Sequence, residues 1–394
     1  MEVRLKRRRE QLQLSQQALA TRVGISRQAL SAIESGRQNP SVTTALALAS
    51  ALQCQVEDLF ALDQGAAIDA ELVRAPVRPP GPWPQVTHRV AIGEVAGRWV
   101  AHRLDGTDYN PADGVLPPAT DHATHRDADD RRARVRAFAS PEQLAGNALV
   151  AGCAPLLSTL DRAVGERFTT VRMRWIQASS ERALQLLAAG TVHIAGIHLA
   201  GIHLIDQRAG DDNAAAVRAR FGQQGALMVN LIAWRQGLVV ARGNPLGLSA
   251  TDLARPGLRV AWREPGASAH ALLARTLARA GLSDNRPEAH QLGEILAGGH
   301  VEVARAIAAG AADVGVAIEA AAVAFGLDFI PLSEERFDLV VAAPDDAVET
   351  PVRRILDVVD SPAFRVRAGA FAGYSTAYTG QATRVSGPPE GVSA

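Results

Sequence analysis

Cysteine is nearly missing: the 394 residues include two, Cys54 and Cys153. They lie far apart and in different predicted domains, so no disulfide framework is expected, and their scarcity points to a reducing compartment. The plainest reading of each is a small buried hydrophobe. Net charge is missing as well. Lys and Arg number 41 and Asp and Glu number 41, for a formal charge of +0, so the whole-chain balance announces no nucleic acid and any such signal must be local. No apolar stretch approaches membrane-spanning length, and the charged N-terminus is not followed by the apolar core of a secretory signal. The expectation is a cytoplasmic protein with no membrane partner. Neither a Walker-type phosphate loop nor a recognisable catalytic triad occurs, so the chain is expected not to be an enzyme, and no cofactor is assigned.

What the chain does hold is apolar mass and local contrast. Hydrophobic residues make up 47% and charged residues 21%, ordinary for a globular protein with a substantial core. The length exceeds one typical core, so a small domain is expected beside a larger one that is itself bilobed. From Met1 to Pro40 the bases Arg4, Lys6, Arg7, Arg8, Arg9, Arg22, Arg27 and Arg37 face only the acids Glu2, Glu10 and Glu34. The first segment is therefore cationic.

Between Arg4 and Phe60 apolar residues fall at helical spacing, broken by turn signals at Leu14-Ser15, Gly24 to Ser26, Gly36 to Pro40 and Gln53 to Gln55. That predicts about five short helices within a domain of residues 1–62. Residues 63–84 end in Arg78-Pro79-Pro80-Gly81-Pro82-Trp83-Pro84 and read as an interdomain linker. Alternation around Gly93 and Gly97 predicts a small β element over 85–140, enclosing a mobile Asp/His-rich loop at 105–134. From 145 to 374 short apolar strands alternate with amphipathic helices, the signature of an α/β domain. Strands are predicted at 148–151, 170–177, 194–198, 224–235, 238–241, 259–262, 314–317 and 338–342. Helices are predicted at 155–164, 181–189, 268–280, 300–309, 320–325 and 351–361, and residues 375–394 read as a flexible tail.

Two motifs carry function. In the first, from Leu14 to Arg37, Ala20 is small where two helices cross closely, Gly24 permits the turn between them, and Leu19, Val23, Ile25, Leu30 and Ile33 form an apolar seam. Ser26 is a good N-cap, which turns free N–H groups of the second helix outward toward a phosphate or base edge, and Arg27, Gln28, Ser31 and Glu34 fall on the exposed face. Over nearly all of residues 1–62 the sequence resembles the Xre, or Cro/cI-type, helix-turn-helix of phage repressors. The resemblance implies a second helix lying in the major groove of a double-stranded DNA operator, with Gln28 and Ser31 at base edges and Arg27 on a base or phosphate. Gln16, Arg37 and Asn39 match positions that touch the DNA backbone. Gln17 and Glu34 have an equal alternative as packed or capping side chains. One headpiece offers few base contacts, so a homodimer on a palindromic operator is expected.

The second motif is a set of strand-to-helix turns in the α/β region: Ala151-Gly152-Cys153-Ala154-Pro155, Gln177-Ala178-Ser179-Ser180-Glu181, and Trp262 to His270 by way of Gly266 and Ser268. If these helix N-termini converged they would form an anion site from backbone donors and the hydroxyls of Ser179, Ser180 and Ser268. Taken singly, each is an ordinary helix cap. Residues from about Ala145 to Val341 resemble the periplasmic-binding-protein-like domain found with helix-turn-helix regulators and with molybdopterin biosynthesis proteins. The resemblance rests on Ala195-Gly196-Ile197-His198-Leu199, Arg235-Gln236-Gly237-Leu238, Gly243-Asn244-Pro245, Gly310 to Gly315, and Gly326 to Leu332 with Glu335-Arg336. It implies a bilobed α/β (type II) fold closing over a small molecule or oxyanion, with molybdate, tungstate or a molybdenum-cofactor species favoured. The residues it places at the ligand are Gly152, Cys153, Ser179, Ser180, His198, His203, Gln236, Gly266, Ser268 and His270. His270 stands where the family carries an arginine, and the usual glycine before Ser179 is absent. Because Ala195–Leu199 is repeated as Ala200–Leu204, either His198 or His203 can hold the family position. The histidines at 193, 198 and 203, and His122 with His125, read as pocket or surface residues, and no metal site is assigned.

The leading function is a one-component regulator in which ligand closure of the C-terminal lobes alters operator affinity. The alternatives are a constitutive repressor whose α/β domain only dimerises, and an accessory protein of molybdenum-cofactor biosynthesis.

Overall fold

In the computed structural model, which describes residues 2–3, 5–61, 66–73, 88–104, 111–117, 132–199, 211–280, 295–342 and 349–386, two units separate: Met1–Ala67 with Arg136–Phe138, and Ile68–Val135 with Ala139–Ala394. The first is built from the helices α1 (Leu5–Gln11), α2 (Gln16–Val23), α3 (Arg27–Glu34), α4 (Val42–Ala51) and α5 (Val56–Leu59). Their starts follow from sequence. The hydroxyls of Ser15, Ser26 and Ser41 accept from the N–H groups of Ala18, Ala29 and Thr44, satisfying donors that each first turn leaves free. Gly24 ends α2 at φ 76°, a left-handed conformation that favours glycine. Leu5, Leu19, Ala20, Leu30, Ile33, Leu48, Leu52 and Leu59 bury together as the core.

The second unit rests on a 10-stranded sheet that contains the same arrangement twice. In one lobe Asn147–Gly152 pairs in parallel with Arg172–Gln177 and with Ile194–Ile197, which runs antiparallel to Asp328–Val341. In the other, Val260–Arg263 pairs in parallel with Ile295–Ala297 and Val314–Ile318, which runs antiparallel to Ala226–Val240. The two long strands Ala226–Val240 and Asp328–Val341 pair with each other and carry the chain between lobes. Helices Leu156–Arg167, Ser180–Ala188, Ser268–Arg279 and His300–Ala308 follow the parallel strands, so the C-terminal strand ends of both lobes open toward the crossover.

Several boundaries differ from expectation. Residues 226–235 and 238–240 belong to one strand rather than two: Gly237 marks a register shift, not an end, and a Cβ there would lie 2.0 Å from the Ile330 carbonyl oxygen, so the close pairing itself demands glycine. The expected linker loses Ala67–Val73 to a strand whose alternate residues Ile68, Ala70 and Leu72 are buried. The expected tail is not free where it is described. Ala382–Val385 pairs with the strand Ala226–Val240, and Val385 is buried. The predicted loop at 105–134 contains the strand Gly114–Leu116 and the start of Arg132–Ala137.

Ala67–Val73, Arg98–Arg103, His88–Val95, Gly114–Leu116 and Arg132–Ala137 close into a small barrel. Asp113 anchors it to the sheet, accepting from the Ile92 N–H and pairing with Arg174 at 2.7 Å. A second anchor is His102, whose Nε2 donates to the Thr191 carbonyl at 2.6 Å. Burial holds the His102 imidazole down at about 4, against an ordinary 6.5. The unfolded chain therefore takes up this proton first as pH falls. The contribution of this residue to stability is expected to be complete above about pH 6.5 and to fall by roughly 3 kcal/mol between there and pH 4. Urea unfolding across that range measures the slope, and His102→Gln, which keeps a donor and cannot titrate, is expected to flatten it.

Candidate functional site

In the helical unit Ser26 is spent on capping α3, which places Arg27 and Gln28 exposed on its first turn and Ser31 half-buried one turn on. Arg37 and Asn39 are exposed beyond the helix, Arg37 with Nε on the Ser35 hydroxyl at 2.9 Å. Gln17 is exposed and reaches Thr21 at 3.4 Å. Gln16 is placed differently from a free backbone reader: its Nε2 donates to Glu34 at 2.7 Å. Glu34 also receives Arg9 at 2.6 Å, and the two side chains are 3% and 8% exposed. Glu34 therefore belongs to the packed, orienting alternative rather than to the exposed face.

In the second unit the strand ends bring together a buried polar cluster. Sγ of Cys153, just after Asn147–Gly152, lies 3.1 Å from Nε2 of His198, which follows Ile194–Ile197. Nδ1 of His198 donates to the Glu335 carboxylate at 2.6 Å. Gln236 donates to the same carboxylate at 2.6 Å, and the Ser268 hydroxyl donates to it at 3.4 Å. From the opposite lobe His300, the first residue of its helix, aims Nε2 at the Cys153 sulfur at 3.9 Å. Cys153, His198, Gln236, Ser268, His300 and Glu335 are all at most 4% exposed. Burial pushes the His198 imidazole down, but the Cys153 sulfur and the Glu335 carboxylate outweigh it and raise it to about 10. Burial, with the charges of Arg263 and His198, holds His300 well below its ordinary value, so it is a neutral ring.

Other expected ligand residues do not join the cluster. Ser179 caps its own helix by accepting from the Arg182 N–H, and Ser180 exchanges hydrogen bonds with the His198 backbone. His270 points Nδ1 at the Arg263 carbonyl at 2.7 Å. Gly266 packs near Ser179 and Glu181, and Gly152 packs against Gly196 and Phe337. His203 lies outside the described residues. Two members, His300 and Glu335, escaped sequence reasoning as site residues, as did the buried Arg263 whose charge acts on His300. Gly298-Gly299-His300, opening a helix, carries the same strand-to-helix signature as the turns at Gly152, Ser179 and Gly266. The string from Cys153 through His198 to Glu335 also supplies the sulfur–imidazole–carboxylate chain that sequence reasoning did not find. Cys153, His198 and His300 offer ligand atoms all within 4.8 Å of one another, enough to hold a metal ion.

A family model described as a helix-turn-helix matches residues 5–59, and one described as a PBP superfamily domain matches residues 162–360. The Bacillus subtilis (strain 168) protein YvgK is 30% identical over 177 residues, 45% of this chain and 56% of that protein. The chain thus spans little more than half of that relative. An HTH-type transcriptional regulator of Methanothermobacter thermautotrophicus is 41% identical over 68 residues, 17% of this chain and 99% of that protein. Among solved structures, the tungstate-binding protein TupA from Desulfovibrio alaskensis G20 superposes with TM-score 0.39 and 14% identity, covering 57% of this chain and 94% of that one.

Proposed function

Because the chain belongs to the helix-turn-helix transcriptional regulators and to the PBP superfamily, we propose that it is a one-component regulator whose operator affinity is set by a small effector held between the lobes of its α/β domain. The carrying observation is the buried polar cluster that both lobes build at the crossover strands, where Cys153 of one lobe faces His300 of the other and the crossover strands supply Gln236 and Glu335. Two chains bind as a homodimer in the cytoplasm, each presenting α3 to one half-site about one helical turn from the next. The effector acts by binding the closed form better than the open one.

The resemblance to molybdate-associated domains makes molybdate and tungstate the first oxyanions to test. Arg263 offers them a single buried donor, since its Nη1 has no partner among the described residues while Glu264 already takes Nε and Nη2. Against them stand the Glu335 carboxylate at the centre of the cluster and the serine hydroxyls already engaged around it. Thermal melting of the purified full chain with each anion, followed by operator titration, tests the proposal. A ligand at 100 times its Kd adds about 2.7 kcal/mol to the native state. An effector that stabilises the protein and shifts operator affinity at least tenfold is the expected result. Operator affinity indifferent to every stabilising ligand would leave a constitutive repressor.

A further inference from the structure

We propose that Cys153, His198 and His300 hold one divalent transition-metal ion, zinc above all, that ties the two lobes together; this rests on the effector reading above and names its ligand. Cys153 and His198 come from the ends of two strands of one lobe and His300 from the other, so an ion bound by all three exists only when the lobes are closed.

The two sulfur-to-nitrogen spacings suit the ion. Tetrahedral zinc with sulfur at about 2.3 Å and nitrogen at about 2.0 Å needs sulfur-to-nitrogen separations of about 3.6 Å. The sulfur here stands 3.1 Å from one imidazole Nε2 and 3.9 Å from the other, bracketing that value. The surroundings suit it as well. Metal-bound histidine characteristically gives its other ring N–H to a carboxylate, and Glu335 receives Nδ1 of His198 at 2.6 Å, fixing Nε2 toward the sulfur. Gln236 and Ser268 hold that carboxylate in turn.

The donor atoms select the ion, while the buried guanidinium of Arg263 is paired with Glu264 at 2.8 Å. A thiolate with two imidazoles is a donor set for zinc or cobalt rather than for magnesium or calcium. A thiol hydrolase built on the same Cys153–His198–Glu335 string would leave His300, aimed at the same sulfur, without a role. Three protein ligands leave the fourth position of the ion open.

The test uses the full chain stripped with a chelator and titrated with Zn2+ and, as a spectroscopic probe, Co2+. The expected results are one ion bound per chain, a thiolate-to-cobalt charge-transfer band, and a raised melting temperature with Zn2+. Cys153→Ser is expected to abolish the band and weaken Zn2+ binding about 100-fold or more, His300→Gln to weaken it tenfold or more, and Cys54→Ser to change neither. Failure of the wild-type chain to bind a stoichiometric ion, or a cobalt band that survives Cys153→Ser, overturns the site. A duplex selected from a random pool with and without Zn2+ then separates the two claims. Stoichiometric zinc with operator affinity unchanged upholds the metal site and sinks the effector reading. No zinc, with molybdate moving both melting and operator affinity, does the reverse.

Discussion

Replacing Arg27 and Gln28 together by alanine is expected to erase sequence-specific DNA binding while leaving the headpiece folded. Both side chains are exposed on the first turn of α3, outside the core of Leu19, Leu30, Ile33 and Leu48, so their removal creates no cavity and unpairs no buried group. The cap that starts the helix, Ser26 accepting from the Ala29 N–H, is untouched. A good base-edge contact is worth about 1–3 kcal/mol of discrimination. Losing two in each chain costs roughly 2–6 kcal/mol per half-site, about 30-fold to 20,000-fold in the affinity of each half-site for the preferred sequence. Binding to a scrambled duplex falls far less, since the other bases of α1 and α2 still meet phosphates. Fluorescence anisotropy with the two duplexes at fixed salt measures the ratio. A preserved specificity ratio would mean that α3 is not the reading helix.

The helical unit was legible because its signals are local: serine caps, Gly24, and apolar residues at helical spacing each act within a few residues of chain. The α/β strands were legible for the same reason where they are short and apolar, as at Ala148–Ala151 and Val314–Ala317. The long crossover strands were not. Ala226–Val240 holds Gly237 for a reason visible only from its partner, the Ile330 carbonyl. The strand at Ala67–Val73 was hidden by the proline-rich run that follows it. The site was half legible. Cys153, His198, Gln236 and Ser268 sit at turns with a sequence signature, but whether turns converge is set by a sheet order that crosses between lobes. His300 stands 147 residues from Cys153, and no local pattern joins them. Cys153, His198 and His300 each follow a different strand, so their approach is not written in any one segment of chain.

Glu34→Ala is expected to melt the headpiece, although Glu34 lies on the helix that reads DNA. Its carboxylate receives Arg9 Nε at 2.6 Å, Arg9 Nη2 at 3.2 Å and Gln16 Nε2 at 2.7 Å. Without it the Arg9 guanidinium, 7% exposed, keeps the Leu14 carbonyl and a 3.6 Å contact with the exposed Glu10. Removing one partner of a buried pair costs about 3–5 kcal/mol, because the remaining charge is stranded away from water. A unit of this size holds roughly 3–9 kcal/mol in total, so most of its stability goes, and operator binding is lost with it. The loss alone would look like a missing base contact. The double replacement Arg9→Met with Glu34→Leu separates the two explanations, since exchanging both charges for apolar groups of similar size removes the stranded charge rather than creating one. Far-ultraviolet circular dichroism melts are expected to show the single variant unfolded and the double variant restored to within about 1–2 kcal/mol of the parent. Operator binding is expected to return with the fold. A double variant that is folded yet blind to the operator sequence would place Glu34 at the DNA and overturn its assignment to the core.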